Sequence, residues 1–171
     1  MNSRKIILLS VPAILLLCVV YLGYKIWSTA QAKEKIKTTI QNLPSIQLCK
    51  TDGSILTTDS FQNKNELLVL NYFNPDCEHC QNMVHEMFRE QSLLQTVNWL
   101  MITSNTREQT KRFADSMNLS QLPNVTVLND TASQFALAFG TVSVPSFYVY
   151  KKGKLLRKYS GECSIAYILK Q

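Results

Sequence analysis

A chain of 171 residues with 46% hydrophobic and 18% charged side chains builds one domain with a full core, hardly two, and is not a disordered chain. The formal net charge of +6 is mild. No Lys/Arg run is interleaved with aromatics, so no nucleic-acid partner is implied, and the one locally basic stretch, Lys151-Lys152-Gly153-Lys154, fits a turn between two strands.

The first segment differs from the rest. Arg4 and Lys5 precede a run without charge from Ile6 to Tyr24, within the ~17–25 residues that cross a hydrocarbon core. Tyr21, Tyr24 and Trp27 are placed for the far interface. The expectation is a signal-anchor over residues 1–27, with one transmembrane helix at residues 6–24. Ala30-Gln31-Ala32 keeps a cleavable signal as the alternative. Cys18 comes after Leu17, which is bulky where a lipoprotein site needs a small residue, so it reads as a membrane-helix side chain. A signal-anchor exports the chain beyond it, which predicts a single-pass protein of the cell membrane with its domain on the extracytoplasmic side.

Residues 28–44 mix Ala, Lys and Glu with Ile36 and Ile40, and read as a helical stalk ending before Pro44. The patterns of a folded domain occupy residues 45–171. Residues 45–61 alternate about Asp52-Gly53, a hairpin signal. Residues 66–73 are almost continuously apolar, as in a strand buried on both faces. Asn74-Pro75-Asp76 ends that run, and from Cys77 the period changes: Cys80, Met83, Val84, Met87 and Phe88 recur at three and four, a helix. A strand over 96–104, a helix over 107–119, a short strand over 124–130 and a helix over 131–140 closed by Gly140 come next. A hairpin over Lys152-Gly153 and a short helix opened by Cys163 complete the chain. This order predicts an α/β sandwich with a mixed central sheet flanked by helices, led by an N-terminal β-hairpin.

The chemistry concentrates in Cys77-Glu78-His79-Cys80. A cysteine that opens a helix straight after a strand meets unpaired N–H groups and the positive end of the helix dipole, which favour a thiolate. The thiolate is the form that attacks disulfides. Cys80, one turn further in, is placed to attack the resulting mixed disulfide and release the partner. Two unrelated core thiols, or a structural bridge, would not explain the position at a strand–helix junction. A closed zinc site needs four ligands; this spacing supplies two, and Cys49, Cys163, His79 and His85 show no second pair. No metal and no dissociable cofactor are implied.

Asp76 and Glu78 flank the site with negative charge, which opposes a thiolate and favours a reducing pair; His79, if protonated, pushes the other way. The balance predicts a reductase. A binding protein is the alternative, delivering copper or haem through Cys77, Cys80 and His79, with Met83 and Met87 as soft neighbours. Both methionines also fall on the core stripe of the helix. Cys49 and Cys163 remain open to two readings, a bridge in an oxidising compartment or two small buried hydrophobes.

The strand–helix junction, the C-x-x-C spacing and the later VSVPSFYVYKKGK together resemble the thioredoxin superfamily over about residues 45–171. The resemblance implies that Val144-Pro145 is that family's cis-proline, lining the substrate groove and offering the Val144 backbone to an incoming peptide. Within the superfamily the chain is similar to the TlpA/ResA-like membrane-anchored thiol–disulfide oxidoreductases. An N-terminal anchor and leading hairpin support this, as does Asn71 where thioredoxins hold a buried aspartate. The Cys80–Pro145 segment is longer than in bare thioredoxin, yet too short for the helical domain inserted in DsbA. The Pro-x-x-x-Thr-x-x-Cys signature of peroxiredoxins is absent before Cys77. The resemblance implies protein thiol/disulfide substrates and an electron donor in the membrane. It departs at three positions: Met83 replaces a frequent glutamate, His85 a helix-bending proline, and Asp76 the usual tryptophan. No general base carries over, which leaves Glu78 and His79 as candidates, or solvent in their place.

Overall fold

The computed structural model describes residues 3–170, with side chains described from Leu15 onward. Helix α1 (Ser3–Thr39) runs unbroken through both the apolar segment and the expected stalk. Its large apolar side chains from Leu15 to Trp27 are exposed on every side of the helix, with no polar face to pair against water. Residues 6–14 of the expected membrane span lie outside the described side chains. Among the described residues no helix is long and apolar enough to cross a membrane. The chain up to Lys37 and the body from Thr38 onward are separate compact units.

The second unit opens with the expected hairpin, β1 (Gln47–Lys50) and β2 (Ile55–Thr57), paired antiparallel. Its turn is set by Asp52, whose carboxylate accepts the Ser54 amide at 2.8 Å and the Ser54 hydroxyl at 2.7 Å. Then come β3 (Leu67–Tyr72), α2 (Glu78–Arg89), β4 (Val97–Thr103), α3 (Arg107–Ser116) and β5 (Val125–Asn129). Helix α4 (Gln134–Phe139), β6 (Ser146–Lys151), β7 (Lys154–Ser160) and α5 (Ile165–Leu169) complete it. The seven strands form one sheet in the order β2-β1-β5-β4-β3-β6-β7. Strands β3, β4 and β5 run parallel and the remaining pairings are antiparallel, so the sheet is mixed. The fold is the α/β sandwich with a mixed central sheet that the order of patterns predicts, and it is the thioredoxin-like fold that the resemblance implies.

Strand alternation divides the core into two layers. Val69, Trp99, Met101, Phe147 and Val149 pack with Cys80, Val84 and Met87 of α2, Phe113 of α3, and Ile165 and Ile168 of α5. The alternate residues Leu68, Leu70, Leu100, Ile102, Tyr148 and Tyr150 are equally buried on the opposite face. There Phe135 and Phe139 of α4 close the layer, Phe135 stacked on Tyr72 at 4.6 Å and Phe139 edge-on to Tyr148 at 4.5 Å. The β6–β7 turn has Lys152 at φ 50° and Gly153 at φ 70°, the two left-handed residues of a type I′ hairpin. The basic stretch is therefore a turn. Short 3₁₀ segments at Thr58–Phe61, Gln91–Thr96 and Leu119–Gln121 add to the predicted elements, and α5 begins at Ile165 behind Ser164 rather than at Cys163.

One register positions the site. Tyr72, at the end of β3, pairs with Ser146, at the start of β6. The turn that leads to Cys77 and the segment that arrives through Val144-Pro145 thus meet at one end of the sheet.

Candidate active site

The turn before the dithiol is built from its own polar groups. Phe73 N–H donates to Ile102 O at 2.9 Å, extending the pairing one residue past β3. Asn74 then reverses the chain: its side-chain Oδ1 accepts the Asp76 amide at 3.0 Å and its carbonyl accepts the Cys77 amide at 3.1 Å. Gln81 Nε2 donates back to Pro75 O at 2.8 Å. Cys77 is left as the N-cap of α2 with extended backbone, and its carbonyl accepts the amides of Cys80 at 3.0 Å and Gln81 at 3.1 Å. Its side chain caps no backbone amide.

The two thiols sit in different surroundings. Cys77 is half-buried, while Cys80 is 0% exposed within the apolar cluster under α2. The Cys80 thiol is pushed up to about 12, chiefly by burial, with the hydrogen bond and charge of Cys77 acting in the same direction and the Asn74 backbone amide opposing them. Cys80 is therefore a thiol at neutral pH, and Cys77 is the more exposed of the two. Both thiols are free.

Beside them the Val144–Pro145 bond is cis, with Pro145 buried and Val144 half-buried. Asn71, wholly buried on β3, points its Nδ2 at Ser146 O across 3.4 Å, and its Oδ1 has no partner among the described residues. A cleft of about 260 Å³ runs between α2 and the segment after β7, lined by His79, Met83, Glu86, Pro145, Glu162 and Cys163 among others. His79 Nδ1 lies 2.9 Å from Glu162 Oε2. Glu86 Oε1 accepts the Ile165 amide at 3.1 Å and so caps α5.

The structure brings Cys77, Cys80, His79, Val144 and Pro145 to one end of the sheet. Asp76 and Glu78 stand at the start of α2, and His85 is exposed on the rim of the cleft. Met83 and Met87 are 4% and 0% exposed and pack in the core cluster, as the core-stripe reading of the helix expects. Among the described residues no group of three or more His, Cys, Asp or Glu could hold a metal ion. The bridge between Cys49 and Cys163 does not form: β1 and the end of β7 lie toward opposite edges of the sheet, on the order of 20 Å apart, well beyond disulfide reach. Cys163 packs against the core beside the cleft and Cys49 is half-buried on β1. Glu162 and Glu86 are the site residues that sequence reasoning missed. Nothing local marks either one, since their partners lie 83 and 79 residues away.

The family model described as the AhpC/TSA family matches residues 40–159. No curated protein matches the chain in sequence. Among solved structures the chain is similar to a secreted Mycobacterium tuberculosis disulfide oxidoreductase homologous to E. coli DsbE, with a TM-score of 0.58 and 17% identity over 74% of this chain and 88% of that one. It is similar to the exposed lipoprotein thioredoxin of Streptococcus pneumoniae strain TIGR4, with a TM-score of 0.59 and 17% identity over 74% of this chain and 96% of that one. A thiol-disulfide oxidoreductase from Bacteroides fragilis gives a TM-score of 0.57 and 19% identity over 68% of this chain and 88% of that one. At such identities the likeness is one of fold.

Proposed function

The chain belongs to the AhpC/TSA family, and we propose that it is a thiol–disulfide oxidoreductase, a membrane-tethered reductase of disulfides in extracytoplasmic proteins. The observation that carries this reading is the asymmetry of the dithiol: Cys77 half-exposed at the start of α2, Cys80 wholly buried one turn behind it and held protonated. That arrangement orders the chemistry. The Cys77 thiolate attacks one sulfur of a partner disulfide, forming a mixed disulfide and releasing the other sulfur as a thiolate that takes up a proton. Cys80 then loses its proton and attacks Cys77, and the second partner sulfur leaves as a thiol. Two electrons and two protons have passed to the partner, and Cys77 and Cys80 are joined. A dithiol donor in the membrane restores the reduced pair. The backbone at Val144, beside Pro145, lines the groove for the partner peptide.

The direction rests on charge. Asp76, Glu78 and Glu162 stand around the dithiol, and the one imidazole that would favour negative charge there is committed to Glu162. The tether rests on the uncharged run Ile6–Tyr24 and on the apolar side chains exposed on all sides of α1 from Leu15 to Trp27. Two of the similar structures are described as secreted and exposed, which agrees with a domain outside the cytoplasm.

Trapping tests the exchange reading. Cys80→Ser keeps the attacking thiol and loses the resolving one, so it should accumulate mixed disulfides with other proteins on non-reducing gels. Cys77→Ser should accumulate few. Equal trapping by both variants, or by neither, would end the reading.

A further inference from the structure

His79 and Glu162 make a side-chain bridge across the candidate cleft, joining the first turn of α2 to the segment after β7, 83 residues further on. The two side chains are 63% and 60% exposed. Exposed ion pairs contribute only ~0–1 kcal/mol to stability, so holding the fold together does not account for this one. What the contact does fix is the imidazole. With Nδ1 committed to a carboxylate, the neutral ring carries its proton on Nδ1 and keeps the Nε2 lone pair free.

That free lone pair meets a need that the rest of the site leaves open. In each cycle Cys80 must lose a proton before it can attack Cys77, and burial holds its thiol at about 12. The groups buried with it, Met83, Val84 and Met87, are apolar and take no proton. Asn71, on the strand beneath, is an amide. Of the groups lining the cleft, Glu86 is engaged by the Ile165 amide, and His85 and Arg89 lie further along α2. Cys163 is a half-buried thiol on the cleft wall, and Asp76 and Glu78 lie at the start of the helix, outside the cleft lining. His79 immediately precedes Cys80 and is the one proton acceptor in that turn whose orientation a second residue holds.

We propose that Glu162 is a positioning residue that holds His79 in the tautomer able to take the Cys80 proton, making His79–Glu162 the acid–base couple of this dithiol. The proposal rests on the thiol–disulfide exchange reading. In the resolving step the Cys80 proton passes to His79 Nε2, relayed by solvent. The Cys80 sulfur bonds to the Cys77 sulfur, and the bond between Cys77 and the partner's sulfur breaks. Its electron pair leaves with that sulfur. The imidazolium, still paired with Glu162, returns the proton to the departing thiolate. The partner's disulfide is the oxidant, and no other reagent enters.

Stopped-flow reaction of the reduced protein with an aromatic disulfide that releases a coloured thiolate separates the two steps. The first release reports attack by Cys77 and the second reports attack by Cys80. In the wild type the second-phase rate should depend on pH. Glu162→Gln should slow that phase by about tenfold and displace its pH profile, with a smaller change in the first phase. Glu162→Asp should restore it, and Glu162→Gln should add nothing once His79→Asn is present. A Glu162→Gln second phase that superimposes on the wild type across pH 5–9, or that slows equally with and without His79, overturns the proposal and leaves the exchange reading standing. A wild-type protein that gives no second release overturns the exchange reading, and the couple with it.

Discussion

Glu86 Oε1 accepts the backbone N–H of Ile165 at 3.1 Å, so the helix that carries the dithiol also caps the last helix of the chain. Helix α5 spans only five residues and cannot persist without tertiary support. Its other cap, Ser164, accepts the Tyr167 amide at 3.2 Å. Loss of the Glu86 acceptor should cost about 1 kcal/mol, the ordinary worth of a helix cap. Glu86→Ala should lower the urea midpoint accordingly with an unchanged slope, and Glu86→Gln, which keeps an acceptor, should recover most of it. A Glu86→Ala midpoint equal to the wild type would show that the contact does not hold α5.

Two buried tyrosines make opposite predictions. Tyr150 donates its hydroxyl to Ile40 O at 2.9 Å, whereas the Tyr148 hydroxyl is buried without a partner among the described residues. Tyr148→Phe removes an unsatisfied group and should be neutral or stabilising; Tyr150→Phe breaks a satisfied bond and should cost about 1 kcal/mol. Burial pushes the Tyr148 hydroxyl up to about 12 and Tyr150 higher still, the latter also raised by the charge of Tyr148. Both folded values lie above the unfolded ~10, so this contribution is intact below pH ~10. It is lost as pH rises toward 12, at ~1.4 kcal/mol per pH unit for each tyrosine. Urea unfolding at pH 9 and pH 11 should show that loss, and Tyr148→Phe should reduce it. An unchanged slope in Tyr148→Phe would contradict the assignment.

Thiol labelling should track burial. At pH 8 iodoacetamide should modify Cys77 in the native protein, while Cys80, wholly buried and protonated, should react only after unfolding. Cys49 and Cys163 should both be alkylated in denaturant without prior reduction, because both are free. Recovery of a peptide linking Cys49 to Cys163 would contradict the sheet order as well as the pairing.

Much of the site was legible because it rests on local patterns. The almost continuous apolar run Leu67–Tyr72 marks a strand covered on both faces, and the change of period at Cys77 marks the helix. A thiol pair at that junction is readable from spacing alone. Lys152-Gly153 gives the last hairpin its turn type. What could not be read depends on distance in the chain. The antiparallel pairing of β1 with β5 leaves no mark in either strand, and it is this pairing that carries Cys49 away from Cys163. The partners of His79 and Glu86 are Glu162 and Ile165, joined only once α5 and the segment before it lie against α2. Met83 and Met87 fit a ligand stripe and a core stripe equally well, and only burial decides between them. The 3₁₀ segments are too short to display any period.

The central claim is that Cys77 and Cys80 form a redox dithiol poised to reduce. The most direct measurement is the reduction potential of that pair, obtained by equilibrating the protein in defined thiol buffers and counting free thiols. The account predicts a reversible two-electron couple at roughly −270 mV or lower. A couple near roughly −120 mV would contradict the reducing direction, and no reversible couple at all would contradict the dithiol itself.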